Sequence, residues 1–152
     1  MSTAAPPSRD LHLVVGYDGS PPANRALDAA VSLLQGRTGR IHAVYVAHLP
    51  SVDALSAAAV VEMEATFDDV EAELRNAAGE QLRGRAESWG FERRDGLIAD
   101  QLTAVAEGIR DDYASDTVAI VVGSSSHAAH RVIGSVAVSL ARHSPVPLVV
   151  VP

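Results

Sequence analysis

Hydrophobic residues along this chain gather in five short runs, separated by longer segments of helical period. Four of the runs are mostly aliphatic and nearly continuous: Leu11–Tyr17, Arg40–Ala47, Thr117–Val122 and Val146–Val151. The fifth, Phe91–Ile98, is interrupted by charges. Continuous apolar runs are how strands buried on both faces read, which predicts a parallel sheet covered by helices.

The intervening segments carry helix signals. Pro21–Gln35 opens with Ser20 as N-cap and prolines in its first turn, and Gly36 and Gly39 mark its exit. Its apolar positions Ala23, Ala26, Leu27, Ala30 and Leu34 keep helical spacing. A longer helix is predicted from about Val60 to Trp89, with Phe67, Val70, Leu74, Ala78, Leu82 and Ala86 as one buried stripe. Its first half is acidic, through Glu62, Glu64, Asp68, Asp69, Glu71 and Glu73. That run reads as a solvated face favoured by the helix dipole, against a docking face or divalent-ion site. Asp100–Asp112 and Gly134–His143 complete the helices.

The order β-α-β-α-β-α-β-α-β, with right-handed crossovers, predicts a three-layer α/β/α domain. Its five-stranded parallel sheet is doubly wound, in order 3-2-1-4-5. Ligands of such sheets bind outside the carboxyl ends of the strands, where the loops after strands one and four meet. Strand two exits through His48, Leu49 and Pro50; the Ser- and Ala-rich segment Pro50–Ala59 is either a flap or the start of the long helix.

Chemistry concentrates in the segment after strand four. There a Gly/Ser loop runs from Gly123 to Gly134-Ser135, in the first turn of the last helix. Backbone N–H groups in such a loop, backed by a helix N-terminus, suit an anionic oxygen, typically a phosphate. An ordinary strand-to-helix connection has the same composition.

The length of 152 residues suits one domain with its own core. With 47% hydrophobic but only 4% aromatic residues, that core must be aliphatic. Residues 1–10 read as a short disordered leader without the apolar centre of a secretory signal, and residues 11–152 as the domain. No apolar run is long enough to span a bilayer, and a cytoplasmic location is expected. Cysteine and lysine are both absent. Disulfides, thiolate chemistry, a P-loop lysine and a Schiff base are thereby excluded. The formal net charge of -7, with no basic cluster, argues against nucleic acid and anionic membranes as partners. His127 and His130 lack the further ligands of a metal site, and Gly123-Ser124-Ser125-Ser126-His127 lacks the closing glycine of a nucleophile elbow.

Val14-Val15-Gly16-Tyr17-Asp18-Gly19-Ser20 resembles the first strand and turn of the universal stress protein family. Val44-Tyr45-Val46-Ala47 is similar to the end of that family's second strand. The segment from Gly123 through Gly134-Ser135-Val136 to His143-Ser144-Pro145-Val146-Pro147-Leu148-Val149-Val150-Val151 is similar to its last helix and strand. The resemblance implies a flavodoxin-like, adenine nucleotide alpha hydrolase-like domain. It also implies an adenine-nucleotide site for ATP, with Mg as the divalent ion, and a homodimer paired through Val146–Val151.

The family's nucleotide pattern is G-x2-G-x9-G-[S/T]. Gly123, Gly134 and Ser135 match it. Ser126 replaces the second glycine, and seven residues, His127 to Ile133, stand where the pattern has nine. Serine is poorer than glycine at positive φ and at close approach to phosphate. Two fewer residues remove up to roughly 7 Å of contour. By the resemblance, Asp18 lies near the ribose or a phosphate-bound metal, Val46 lies against the adenine, and Gly123, Ser126, Gly134 and Ser135 contact phosphates. Arg131 is the loop's one cation and a candidate to compensate for the missing glycine. Their other roles are turn former for Asp18, core packing for Val46 and solvated surface for Arg131. A nucleotide-free dimer acting as an interaction module for an unknown protein partner is the alternative. Hydrolysis is expected to be slow at most, since no residue stands out as a general base.

Overall fold

The computed structural model describes residues 9–48, 55–124 and 134–152. Nine elements alternate: β1 (Leu11–Gly16), α1 (Pro21–Leu34), β2 (Gly39–Ala47), α2 (Ala57–Leu82), β3 (Trp89–Asp95), α3 (Ile98–Asp112), β4 (Thr117–Gly123), α4 (Ser135–His143) and β5 (Leu148–Val151). The strands form one sheet in order β3-β2-β1-β4-β5, and every pairing is parallel. This is the doubly wound architecture that the apolar runs predict.

Alternation along β1 divides the core in two. Leu13, Val15 and Tyr17 pack with Ala26, Leu27 and Ala30 of α1 and Ala78 and Leu82 of α2. Val14 faces the opposite layer, with Leu102 and Ala106 of α3 and Ala137 and Leu140 of α4. Leu27, Leu102 and Leu140 are almost inaccessible to water, and each contributes about 1.5–3 kcal/mol by burial.

Several boundaries depart from the sequence expectation. The long helix ends at Leu82, because Gly84 takes a left-handed conformation (φ 69°). Trp89 therefore opens β3 and does not close α2. Strand three stops at Asp95, where Gly96 adopts φ 136°, and Ile98 becomes the first residue of α3. Strand five begins at Leu148, after Pro147, which carries no N–H for a ladder.

The stripe on α2 is buried only in its second half. Ala78 and Leu82 are inaccessible, and Leu74 and Ala86 pack partly against the core. Phe67 instead lies beneath the Arg93 guanidinium, 5.0 Å from its ring centre. The acidic run is mostly exposed, as expected of a solvated face. The helix dipole is not its cause: α2 starts at Ala57, is capped by Ser56, and has no acid in its first turn.

Most of the expected leader, residues 1–8, lies outside the described residues. Asp10 is already tied to the fold: its carbonyl accepts from Thr117 N–H at 2.9 Å. No helix among the described residues is long and apolar enough to cross a membrane.

Candidate functional site

β1 and β4 are neighbours at the centre of the sheet, and the helices that follow them pack on opposite faces, α1 on one and α4 on the other. A cleft opens there, as the topology requires.

Its first wall is the turn after β1. Tyr17 N–H donates to Val44 O at 2.9 Å and carries the β1–β2 ladder one residue past Gly16. Asp18 Oδ1 then accepts from Ser20 N–H at 3.0 Å, and Gly19 takes φ 75°. Ser20 is extended, and its hydroxyl caps α1 by accepting from Ala23 N–H at 3.4 Å. Asp18 is thus a turn former that also lines the cleft, and its second carboxylate oxygen has no partner among the described residues. Burial, and then the neighbouring charge of Asp18, push the Tyr17 phenol above its ordinary pKa, so it stays protonated near neutrality.

The second wall is the start of α4. Gly134 is its N-cap, extended at φ -61° and ψ 157°, and offers no side-chain cap. Its carbonyl accepts the first helical bond, from Val138 N–H at 3.0 Å. The N–H groups of Ser135, Val136 and Ala137 consequently have no intrahelical acceptor. The helix dipole adds partial positive charge at this end.

The end of β4 contributes less than its sequence promises. Ser124 N–H donates to Val151 O at 2.7 Å, extending the β4–β5 ladder, and is not available to an anion. Gly123 lies against the first turn of α1, where a Cβ would overlap Pro22.

Between these walls lies a cleft of about 350 Å³, within the range of roughly 300–1,000 Å³ for small-molecule sites. Val44, Val46, Ile98, Leu102 and Val122 supply its apolar side. Asp18, Ser20, Ser124 and Ser135 supply polar groups, and the described lining contains no Arg or His. The cleft therefore suits a ligand with a flat apolar part and an anionic part that accepts from backbone N–H groups.

Of the residues singled out from the sequence, Asp18, Val46, Gly123, Gly134 and Ser135 line this one cleft. Ser126 and Arg131 lie outside the described residues, as do His127 and His130. Ile98 and Leu102 were not singled out. Ile98 faces the cleft because Gly96 ends β3 early and turns the chain into α3. The visible signal was Gly96 itself, inside a run read as strand.

The sequence model of the universal stress protein family matches residues 11–152. The fold is similar to that of universal stress protein UspA from Lactobacillus plantarum, with 20% identity and a TM-score of 0.73 over 95% of this chain and 99% of that one. It is also similar to a universal stress protein solved in complex with cAMP, with 23% identity and a TM-score of 0.65 over 95% and 99% of the two chains. A third similar structure is the universal stress protein from Archaeoglobus fulgidus in complex with dAMP, at 16% identity and a TM-score of 0.56 over 95% and 98%. No curated protein matches the chain by sequence.

Proposed function

This chain belongs to the universal stress protein family, and from that premise we propose that it is a regulatory protein binding an adenine nucleotide in the cleft between β1 and β4. The single observation that carries the proposal is the pairing of an apolar slot with an uncapped helix start. Val46, Ile98 and Leu102 give a base a surface to lie on, and the first turn of α4 gives a phosphate its donors. Similar folds have been solved in complex with cAMP and with dAMP, both adenine nucleotides.

In this account Val46 packs against the adenine. Asp18 bonds to a ribose hydroxyl or, through its second oxygen, to a Mg ion on the phosphates. Ser135 and the backbone at Gly134 meet a phosphate, while Ser126 and Arg131 complete the contacts from the loop. ATP is the proposed resident ligand. The proposed assembly is a homodimer through β5, which is an edge strand and needs to be covered or paired. The proposed location is the cytoplasm.

Denaturing the purified protein and identifying any released nucleotide by mass spectrometry tests the proposal. Adenine nucleotide at up to one equivalent is the expected outcome. A chain that releases none and shows no thermal shift with millimolar ATP, AMP or cAMP would leave the nucleotide-free interaction module in its place.

A further inference from the structure

Four residues before the cleft end of β1, about 13 Å away along the strand, a polar cluster is sealed into the other end of the sheet. His12 on β1 is only 6% exposed. Its Nε2 lies 3.0 Å from Asp116 Oδ2, in the turn before β4. Its Nδ1 lies 3.0 Å from Nε2 of His42 on β2. Tyr113, the C-cap of α3, stacks on the His12 ring with centroids 4.9 Å apart. One cluster thus ties together β1, β2, α3 and the entry to β4.

Counting protons shows what this geometry allows. With both imidazoles neutral, His12 Nε2–H donates to the Asp116 carboxylate, and His42 Nε2–H donates to His12 Nδ1. Every facing atom is satisfied. One added proton is tolerated on His12: it then donates from both nitrogens, and His42 changes tautomer to accept. A second added proton places two N–H groups nose to nose at 3.0 Å, with two positive rings 5.3 Å apart.

We infer that His12 and His42, clamped by Asp116, form a couple that rejects full protonation and makes the amino-terminal end of the sheet an acid-sensitive latch. The surrounding charges reinforce it. Arg40, on the same strand as His42, adds positive charge, and Asp116 lies on the His12 side of the pair, not against His42. From β3, Gly90 is the register partner of His42, and Glu92, next on that face, is exposed. Arg110 and Asp112, in the last turn of α3, are exposed, and Tyr113 is the aromatic cover. Asp10 meets Asp116 through its backbone N–H, at 3.3 Å. Burial first, then the charges of His12 and Arg40, hold the His42 imidazole down to about 4, against an ordinary 6.5.

The sign follows from proton linkage. Between pH 6.5 and about 4 the unfolded chain binds a proton at His42 that the folded chain refuses. Stability contributed by the neutral couple is therefore complete above pH 6.5 and is lost as the pH falls. From pH 7 to pH 5, His42 alone should raise the unfolding constant roughly twentyfold.

The test separates this from ordinary carboxylate titration. His42→Gln keeps an N–H donor toward His12 but cannot titrate. Urea unfolding of both proteins at pH 7 and pH 5 should show the wild type losing roughly twentyfold more than the variant. In the wild type, NMR titration of the imidazole carbons should place the His42 midpoint below pH 5. Parallel stability profiles for the two proteins, or a His42 midpoint near 6.5, would overturn the inference. If His42→Gln does not fold, the wild-type titration decides alone.

Discussion

Gly123, at the end of β4, lies so close under Pro22 in the first turn of α1 that no side chain fits between them. The glycine that opens the nucleotide pattern is thus required by the packing of two elements, whatever the ligand. Gly123→Ala should force α1 away from the sheet and cost about 1–3 kcal/mol. Urea unfolding should show a lower midpoint with unchanged slope. An undiminished midpoint would mean that α1 can shift at no cost.

Surface ion pairs should matter little by comparison. Arg85 Nη1 lies 2.7 Å from Asp28 Oδ1, joining α1 to the turn after α2, and both side chains are about half exposed. Hydrogen bonds from Arg85, and then Gln81, hold the Asp28 carboxyl below its ordinary value. Its contribution is therefore present above pH 3.8 and is lost as the pH falls through the lowered value. Solvent screening limits it: Arg85→Ala should cost at most about 1 kcal/mol at low salt. Thermal melts in 1 M NaCl should show the difference shrink. A loss of several kcal/mol that salt does not touch would point to packing by the arginine stem.

The sheet was legible because β1, β4 and β5 are continuous aliphatic runs, and only strands covered on both faces read that way. The helix-to-strand boundary near Trp89 was not, because Ala86 and Trp89 continue the apolar spacing of α2 beyond its true end. Gly84 was the usable signal, since its positive φ stops the helix. The cleft was legible where it is built from element ends: Asp18, Val46, Gly123, Gly134 and Ser135. Ile98 was hidden by the mistaken end of β3, whereas Leu102 lay inside the helix expected at Asp100–Asp112, where nothing in the pattern turned it toward a cleft. His12 and His42 were hidden for a different reason. Each sits inside an apolar strand, and only the pairing of β1 with β2 and β4 reveals that His12 meets both His42 and Asp116.

The dimer proposal rests on β5. Val149 and Val151 pack partly on one core and Leu148 and Val150 on the other, while all four stay half-buried at the sheet edge. Val151→Arg, at the carboxyl end of β5, should separate protomers. Sedimentation at micromolar concentration should give a dimer for the wild type and a monomer for the variant. A monomeric wild type would refute the pairing.

The most direct test of the nucleotide proposal uses Gly134. Its backbone, at φ -61° and ψ 157°, accepts any residue. Gly134→Asp should therefore preserve the fold and cap α4, gaining a few tenths of a kcal/mol. Its carboxylate would occupy the N–H groups proposed for the phosphate and repel the anion. Suppose 1 mM ATP binds the wild type with a Kd of roughly 10 μM. Mass action then stabilises the fold by about 2.7 kcal/mol, raising Tm by roughly 5–10 °C in a domain of this size. The measurement is the ATP-induced shift in Tm for wild type and Gly134→Asp, both first freed of nucleotide. A shift in the wild type that vanishes in the variant is the predicted result. A shift that survives Gly134→Asp, or none in either protein, would contradict a nucleotide held at the start of α4.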